Sequence, residues 1–276
     1  MISLKRDRRG QPVKAPGKRS RSSSFYTPGQ TATFRISRSK FTDFLNCQRC
    51  FYLDRVKGLT SPSTPGWALN DTTDLLLKKE FDACRRQEIP HRVFKEFGLN
   101  NIIPFKHTDM DKWRDALRHG LEYQVTNTNI TLSGAIDDIW LDLQSNELIV
   151  VDYKSQASRY AVNRHRYLAN TYHQDYKIQL DIYSYLLAHM WFPVSKTAYF
   201  YVCNGDRNAD EFNGQITFAE TLIPYTWDGD WIERAVFEML DVLNSEMLPP
   251  SNPACENCAY SHQRAIMEGD TMDHGL

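Results

Sequence analysis

The stretch ITLSGAIDDIWLDLQSNELIVVDYKS, residues 130–155, alternates apolar and polar positions and reads as two strands around a tight turn at Gln144, Ser145 and Asn146. Side chains two apart share a face of a strand. Leu148, Val150, Asp152 and Lys154 therefore share one face of the second strand. Ala135, Asp137, Ile139, Leu141 and Leu143 share one face of the first. A two-residue turn centred on Ser145 and Asn146 sets Asp137 opposite Lys154, and sliding the pairing by two sets Asp137 opposite Asp152. Either register gathers two carboxylates and one ammonium on an otherwise apolar face, whereas one extra turn residue would break the pattern. Asp138 and Asp142 point the other way and are expected to be solvated.

Buried charges need partners, so this face calls for an ion pair or a bound cation. Two carboxylates beside one lysine leave a net negative charge, which suits a hard divalent ion such as Mg²⁺. Such an ion acidifies water and polarises a phosphoryl group, while a lysine orients a nucleophile and offsets developing charge. Spacing alone leaves the structural ion pair and the metal site both open.

The 276 residues suffice for one large domain or two small ones, and 41% hydrophobic with 24% charged residues is ordinary for a globular chain. The net charge of −1 hides an asymmetry. Residues 1–40 hold 11 lysines and arginines against one acid, Asp7, while the remainder holds 22 basic and 33 acidic side chains. Residues 1–33 read as a flexible basic arm, which suits contact with a polyanion or simple solvation. A single domain is expected over 34–262 and a flexible tail over 263–276. The N-terminal segment lacks the apolar core of a secretory signal, and no apolar run is long enough to span a membrane. A cytosolic location is expected, where the six cysteines stay free or bind metal.

Helices are expected over about 39–57, with Ser39 as N-cap and Gly58 as stop, and over 67–88, 109–125, 170–192 and 228–245. Further strands are expected over about 196–203 and 214–225. The segment PPSNPACENCAYSHQ, 249–263, has turn composition. Helices flanking a mixed central sheet make the fold class α/β.

GAIDDIW (134–140) and VVDYKS (150–155) resemble the second and third motifs of the PD-(D/E)xK nuclease superfamily in its RecB-like branch. The branch's Gln-x-x-x-Tyr signature on the next helix is matched by QLDIY, Gln179 to Tyr183, whose spacing puts both side chains on one helix face. FTDFLNCQRCFYLDRVKGL (41–59) resembles its N-terminal helix. The resemblance covers most of residues 35–262. It implies a restriction-endonuclease-like core and metal-dependent hydrolysis of DNA phosphodiester bonds, in repair, recombination or defence. Asp137 and Asp152 would be ligands of Mg²⁺ or Mn²⁺, Lys154 the catalytic lysine, and Gln179 and Tyr183 supports of the site. One departure stands out. In GWALNDTTD (66–74), Asn70 occupies the place of the branch's metal-binding histidine. Asn70 or Asp74 would have to supply an oxygen ligand instead, or the chain is an inactive nuclease-fold protein that binds nucleic acid or serves as a scaffold.

Cys47 and Cys50 form one C-x-x-C and Cys255 and Cys258 another. Four thiolates could hold zinc or an iron–sulfur cluster, or the thiols could pack as small hydrophobes. RecB-like nucleases with a four-cysteine [4Fe-4S] staple make the metal reading stronger, although they place one ligand at the N-terminal helix and three at the C-terminal end. Here the last cysteine is missing, with Arg264 near its place, so zinc and iron–sulfur both stay open. Cys84 and Cys203 read as structural thiols. No phosphate-binding motor loop of the G-x-x-x-x-G-K-[ST] type occurs, so a separate helicase or repair protein is a conceivable partner alongside DNA. Tyr172, Tyr176 and Tyr183 read as an aromatic core stripe or a stacking platform for bases.

Overall fold

The computed structural model describes residues 2–64 and 66–269, and the chain forms two compact units. One comprises residues 67–124 and 132–232, the other residues 1–66, 125–131 and 233–276.

The first unit is built on a five-stranded mixed sheet, with strands in the order Ile102–Pro104, Asp138–Asp142, Glu147–Gln156, Thr197–Gly205 and Phe218–Thr226. Glu147–Gln156 is the middle strand. Its apolar run leaves residues 148–153 buried on both faces, as a strand covered by layers on either side requires. It pairs antiparallel with Asp138–Asp142 and parallel with Thr197–Gly205. The parallel pair needs a crossover, and the helix Gln174–His189 supplies it.

The hairpin adopts the slid register, with Ile139 opposite Val150 and Asp138 opposite Val151. Four residues, 143–146, make the turn, and Asn146 takes the left-handed conformation that closes it (φ 57°). The helix Ala68–Gln87 packs on the sheet through Leu77 and Phe81, which join Trp140, Val151, Tyr153 and Tyr201 in one core cluster. Phe81 stacks on Trp140 at 5.6 Å between ring centroids.

Two expectations fail in this unit. Residues 109–125 are not one helix: a single turn covers Met110–Trp113, and Leu121–Gln124 is a strand. Asp115 Oδ1 accepts the N–H groups of Leu117 and Arg118, capping a turn in place of helical bonds. Gly120 follows with φ +108°, and a Cβ there would lie 2.7 Å from the Gly134 carbonyl oxygen, so only glycine passes. The second failure is Asp138, which is not solvated but fully buried, because the second face of the sheet is core.

In the other unit, the helix expected over 39–57 is two helices, Arg38–Asn46 and Gln48–Arg55. Ser37, not Ser39, is the N-cap, accepting from the Lys40 N–H at 3.4 Å. Cys47 breaks the run in an extended conformation (φ −158°, ψ 104°), and the Asn46 carbonyl freed there accepts from Asn252 Nδ2 at 2.8 Å. Phe41, Phe44, Phe51 and Tyr52 are buried. Tyr52 Oη donates to the Ser245 carbonyl at 2.9 Å and Arg49 Nε to the Pro249 carbonyl at 2.8 Å. The basic arm returns to the second helix, where Arg19 donates to Asp54 Oδ1 (2.6 Å from Nη2).

The turn expected over 249–263 holds only as far as Cys255, because Glu256–Met267 is a helix. Five of its residues, 263–267, fall in the stretch expected to be a tail. Residues 270–276 of that tail lie outside the described residues. Among the described residues no helix is long and apolar enough to cross a membrane.

Candidate active site

Asp152 is fully buried in the middle strand, and its environment is specific at every atom. Oδ1 accepts from Gln179 Nε2 at 2.7 Å, and Oδ2 lies against the Lys154 ammonium. Gln179 Oε1 in turn faces Lys154 Nζ at 3.5 Å, and its Nε2 is also 3.1 Å from Tyr183 Oη. One amide thus uses its donor end on the carboxylate and its acceptor end on the ammonium. The order of the three groups follows from the i, i+2 spacing of the strand and the i, i+4 spacing of the helix packed over it. Lys154 Nζ also sits 4.7 Å above the Tyr176 ring, so part of its charge is met by an aromatic face.

Asp137 stands just before the strand Asp138–Asp142. Its Oδ2 accepts the Tyr153 N–H at 2.9 Å, which ties it to the residue between Asp152 and Lys154. Its Oδ1 is 3.5 Å from Lys78 Nζ, and Lys78 is 2.8 Å from Asp74 Oδ2. Asp74 therefore reaches the cluster through Lys78, one helical turn further on. Asn70, a turn earlier, is exposed, and no hydrogen bond or ion pair joins it to the cluster among the described residues.

The electrostatics reflect crowding of like charge. Burial, opposed by Lys154 and reinforced by Asp137, pushes the Asp152 carboxyl up to about 7. Burial and Asp137 also raise Asp74. Lys78 is partly buried, which lowers its pKa, but Asp137 and Asp74 outweigh that and raise it. Three carboxylates, of which Asp152 is fully buried and Asp74 and Asp137 partly exposed, face two ammonium groups, a net negative charge that an additional cation would relieve. The donors are all carboxylate oxygens, which fits a hard divalent ion and not a soft one.

Behind Asp137 lies a buried network that the strand pattern does not reveal. Asp138 Oδ1 receives Arg85 Nη2 and, at 2.9 Å, Arg114 Nη2, while Oδ2 accepts from Tyr153 Oη at 2.7 Å. Arg114 Nε donates to the Asp137 carbonyl at 3.0 Å and its Nη1 to Asp82 Oδ1 at 2.9 Å. The guanidinium fork thus fixes the backbone from which Asp137 projects. On the helix Gln174–His189, Asp181 Oδ1 accepts from Tyr225 Oη and the Asp228 N–H, both at 2.9 Å, and Oδ2 from Trp231 Nε1 at 3.3 Å. These bonds hold the helix that carries Gln179 and Tyr183. The i, i+4 pair Asp74–Lys78 and the Asp137–Asp138 doublet were the available sequence signals for this supporting set.

A family model for the PD-(D/E)XK nuclease superfamily matches residues 35–263. The chain belongs to the PD-(D/E)XK nuclease superfamily. A nuclease superfamily implies a nucleic-acid substrate and a phosphodiester hydrolase. The chain is also similar to a crystal structure from Eubacterium rectale described as a "putative exonuclease", with 12% identity, a TM-score of 0.40, and coverage of 82% of this chain and 87% of that one. No curated protein matches this sequence.

The four cysteines of the two C-x-x-C pairs come together in the unit that includes residues 125–131. Their sulfurs all lie within 4.8 Å of one another, a group that could hold a metal ion. Burial raises Cys258 to about 11 and raises Cys50 further still. At Cys47 burial is outweighed by backbone N–H groups of Asn252 and Cys50, and the thiol is lowered to about 7. Cys203 is buried in its strand and Cys84 half-buried on its helix; neither belongs to this group.

Proposed function

We propose that this superfamily member is a divalent-cation-dependent deoxyribonuclease of the RecB-like kind. The observation that carries the reading is the chain Asp152–Gln179–Lys154, in which a fully buried carboxylate and an ammonium are held by the two ends of one amide. A purely structural ion pair has no need of a second carboxylate, and Asp137 brings one to the next strand.

In this reading Asp137 and Asp152 hold Mg²⁺ or Mn²⁺, and Asp74 contributes from the helix Ala68–Gln87 in place of the expected histidine. The cation, when bound, supplies Lewis acidity toward a phosphate and makes water a better nucleophile at neutral pH. Gln179 keeps Asp152 oriented and Lys154 positioned. The Lys154 ammonium offsets charge that grows on a non-bridging phosphate oxygen. Tyr183 fixes the Gln179 amide from behind. Lys78 tempers the repulsion between Asp74 and Asp137. The basic residues of the N-terminal arm add salt-sensitive affinity for a phosphate backbone.

The test is a panel of end-labelled single-stranded DNA, double-stranded DNA and RNA incubated with the full chain in Mg²⁺, in Mn²⁺ and in chelator. The reading expects cleavage of DNA with either ion and none in chelator. Cleavage that persists in chelator would contradict the metal requirement, and cleavage confined to RNA would contradict the substrate.

A further inference from the structure

We propose that Cys47, Cys50, Cys255 and Cys258 bind a single Zn²⁺ ion as a closed tetrahedral thiolate site, not an iron–sulfur cluster. The spacing of the sulfurs carries the inference. Cys50 Sγ lies 3.4 Å from Cys258 Sγ and 3.5 Å from Cys255 Sγ, and Cys47 Sγ lies 3.8 Å from Cys258 Sγ. All four fall within 4.8 Å of one another. Four sulfurs at about 2.3 Å from one ion form a tetrahedron with edges of about 3.8 Å. A four-iron cluster puts each thiolate on a different iron, with the body of the cluster between them, and so holds the sulfurs well beyond mutual contact. A two-iron cluster separates its two pairs in the same way. The space enclosed here fits one ion.

Two disulfides do not account for the arrangement. Cys50 is close to both Cys255 and Cys258, and Cys258 is close to both Cys47 and Cys50, so the four make one group and not two pairs.

The backbone repeats one local device. Cys47 is the N-cap of the helix Gln48–Arg55, and Cys255 is the N-cap of the helix Glu256–Met267. Each C-x-x-C therefore presents its two thiols from the cap and the first turn of a helix, where backbone N–H groups lack intrahelical partners. Those N–H groups and the positive helix ends offset the net negative charge of four thiolates around a divalent ion. The two helices supply two ligands each, and no position is left for water or substrate, as in structural zinc sites. Between first-row divalent ions, such a site binds zinc more tightly than iron(II). The ion joins residues 211 apart in sequence, Cys47 and Cys258, within one compact unit.

The experiment is metal analysis and X-ray absorption on the full chain, produced in medium containing both iron and zinc and purified without oxygen. Stoichiometric zinc is expected, with a colourless protein, no acid-labile sulfide, and four sulfur neighbours at about 2.3 Å. Incubation with excess iron and sulfide should build no cluster. Cys50→Ser and Cys258→Ser should lose the zinc, while Cys84→Ser keeps it. A brown protein with labile sulfide, a single iron in place of zinc, or four thiols that titrate freely with no metal bound would each overturn the proposal. The absorption measurement on the unaltered chain decides the matter even if a serine variant does not fold.

Discussion

Gln179 holds Asp152 through its amide nitrogen at 2.7 Å, and the same amide turns its oxygen toward Lys154. Replacing Gln179 with leucine keeps the bulk and removes both contacts. Asp152 then loses the amide donor, and Lys154 is left to its contacts with Asp152 and the Tyr176 ring. The expected outcome is a fall in kcat of roughly 10- to 100-fold, the usual cost of losing a group that orients a metal ligand, with KM for DNA little changed. Steady-state cleavage kinetics at saturating Mn²⁺ check it.

The buried Asp152 carboxyl also sets a pH dependence. Its folded value, about 7, lies above the ordinary 3.8, so the folded chain binds that proton more tightly than the unfolded chain does. The corresponding stability is full below about 4 and is lost as pH rises through about 7. Urea unfolding of chelator-treated protein across this range should show the decline. Asp152→Asn should flatten it.

Lys78 sits between Asp74 and Asp137, so its ammonium and a bound cation compete for the same negative charge. Lys78→Met should tighten divalent-ion binding by roughly tenfold, the scale of one like charge removed from a few ångströms away. Asp74→Asn should weaken it. Calorimetric titration with Mn²⁺ reads both directions.

Asp138 is fully buried and meets two arginines and a tyrosine hydroxyl. Asp138→Ala strands those donors and should cost about 3–5 kcal/mol of stability. Denaturant unfolding measures it. Because Arg114 also holds the Asp137 carbonyl, any folded fraction should bind the cation more weakly.

The hairpin was legible because alternation is a strong signal: two apolar strands with one charged face can hardly be read otherwise. Its register was not, because the choice depended on a turn that uses four residues. Asp138 was misjudged for a related reason. Parity tells which residues share a face but not what covers the other face, and here Leu77 and Phe81 do. The i, i+4 pair Asp74–Lys78 was a local signal, but the tie of Lys78 to Asp137, 59 residues away, needed the fold. At Cys47 a continuous apolar spacing concealed a break, where Asn252, 206 residues from Asn46, satisfies the freed carbonyl. The C-terminal helix was hidden behind a proline-rich lead whose turn signals end at Cys255. Residues that act alone on one element were found by spacing; those that act through a distant partner needed the fold.

We propose that Asp137, Asp152 and Lys154 form the site that cuts. Single-turnover cleavage of labelled DNA at saturating Mn²⁺, comparing the natural chain with Asp152→Ala and Lys154→Ala, tests it most directly. Each variant should remain folded enough to bind DNA and should cleave at least about 10²-fold more slowly. Cleavage by either variant at the rate of the natural chain, or no cleavage by any of the three, would contradict the account.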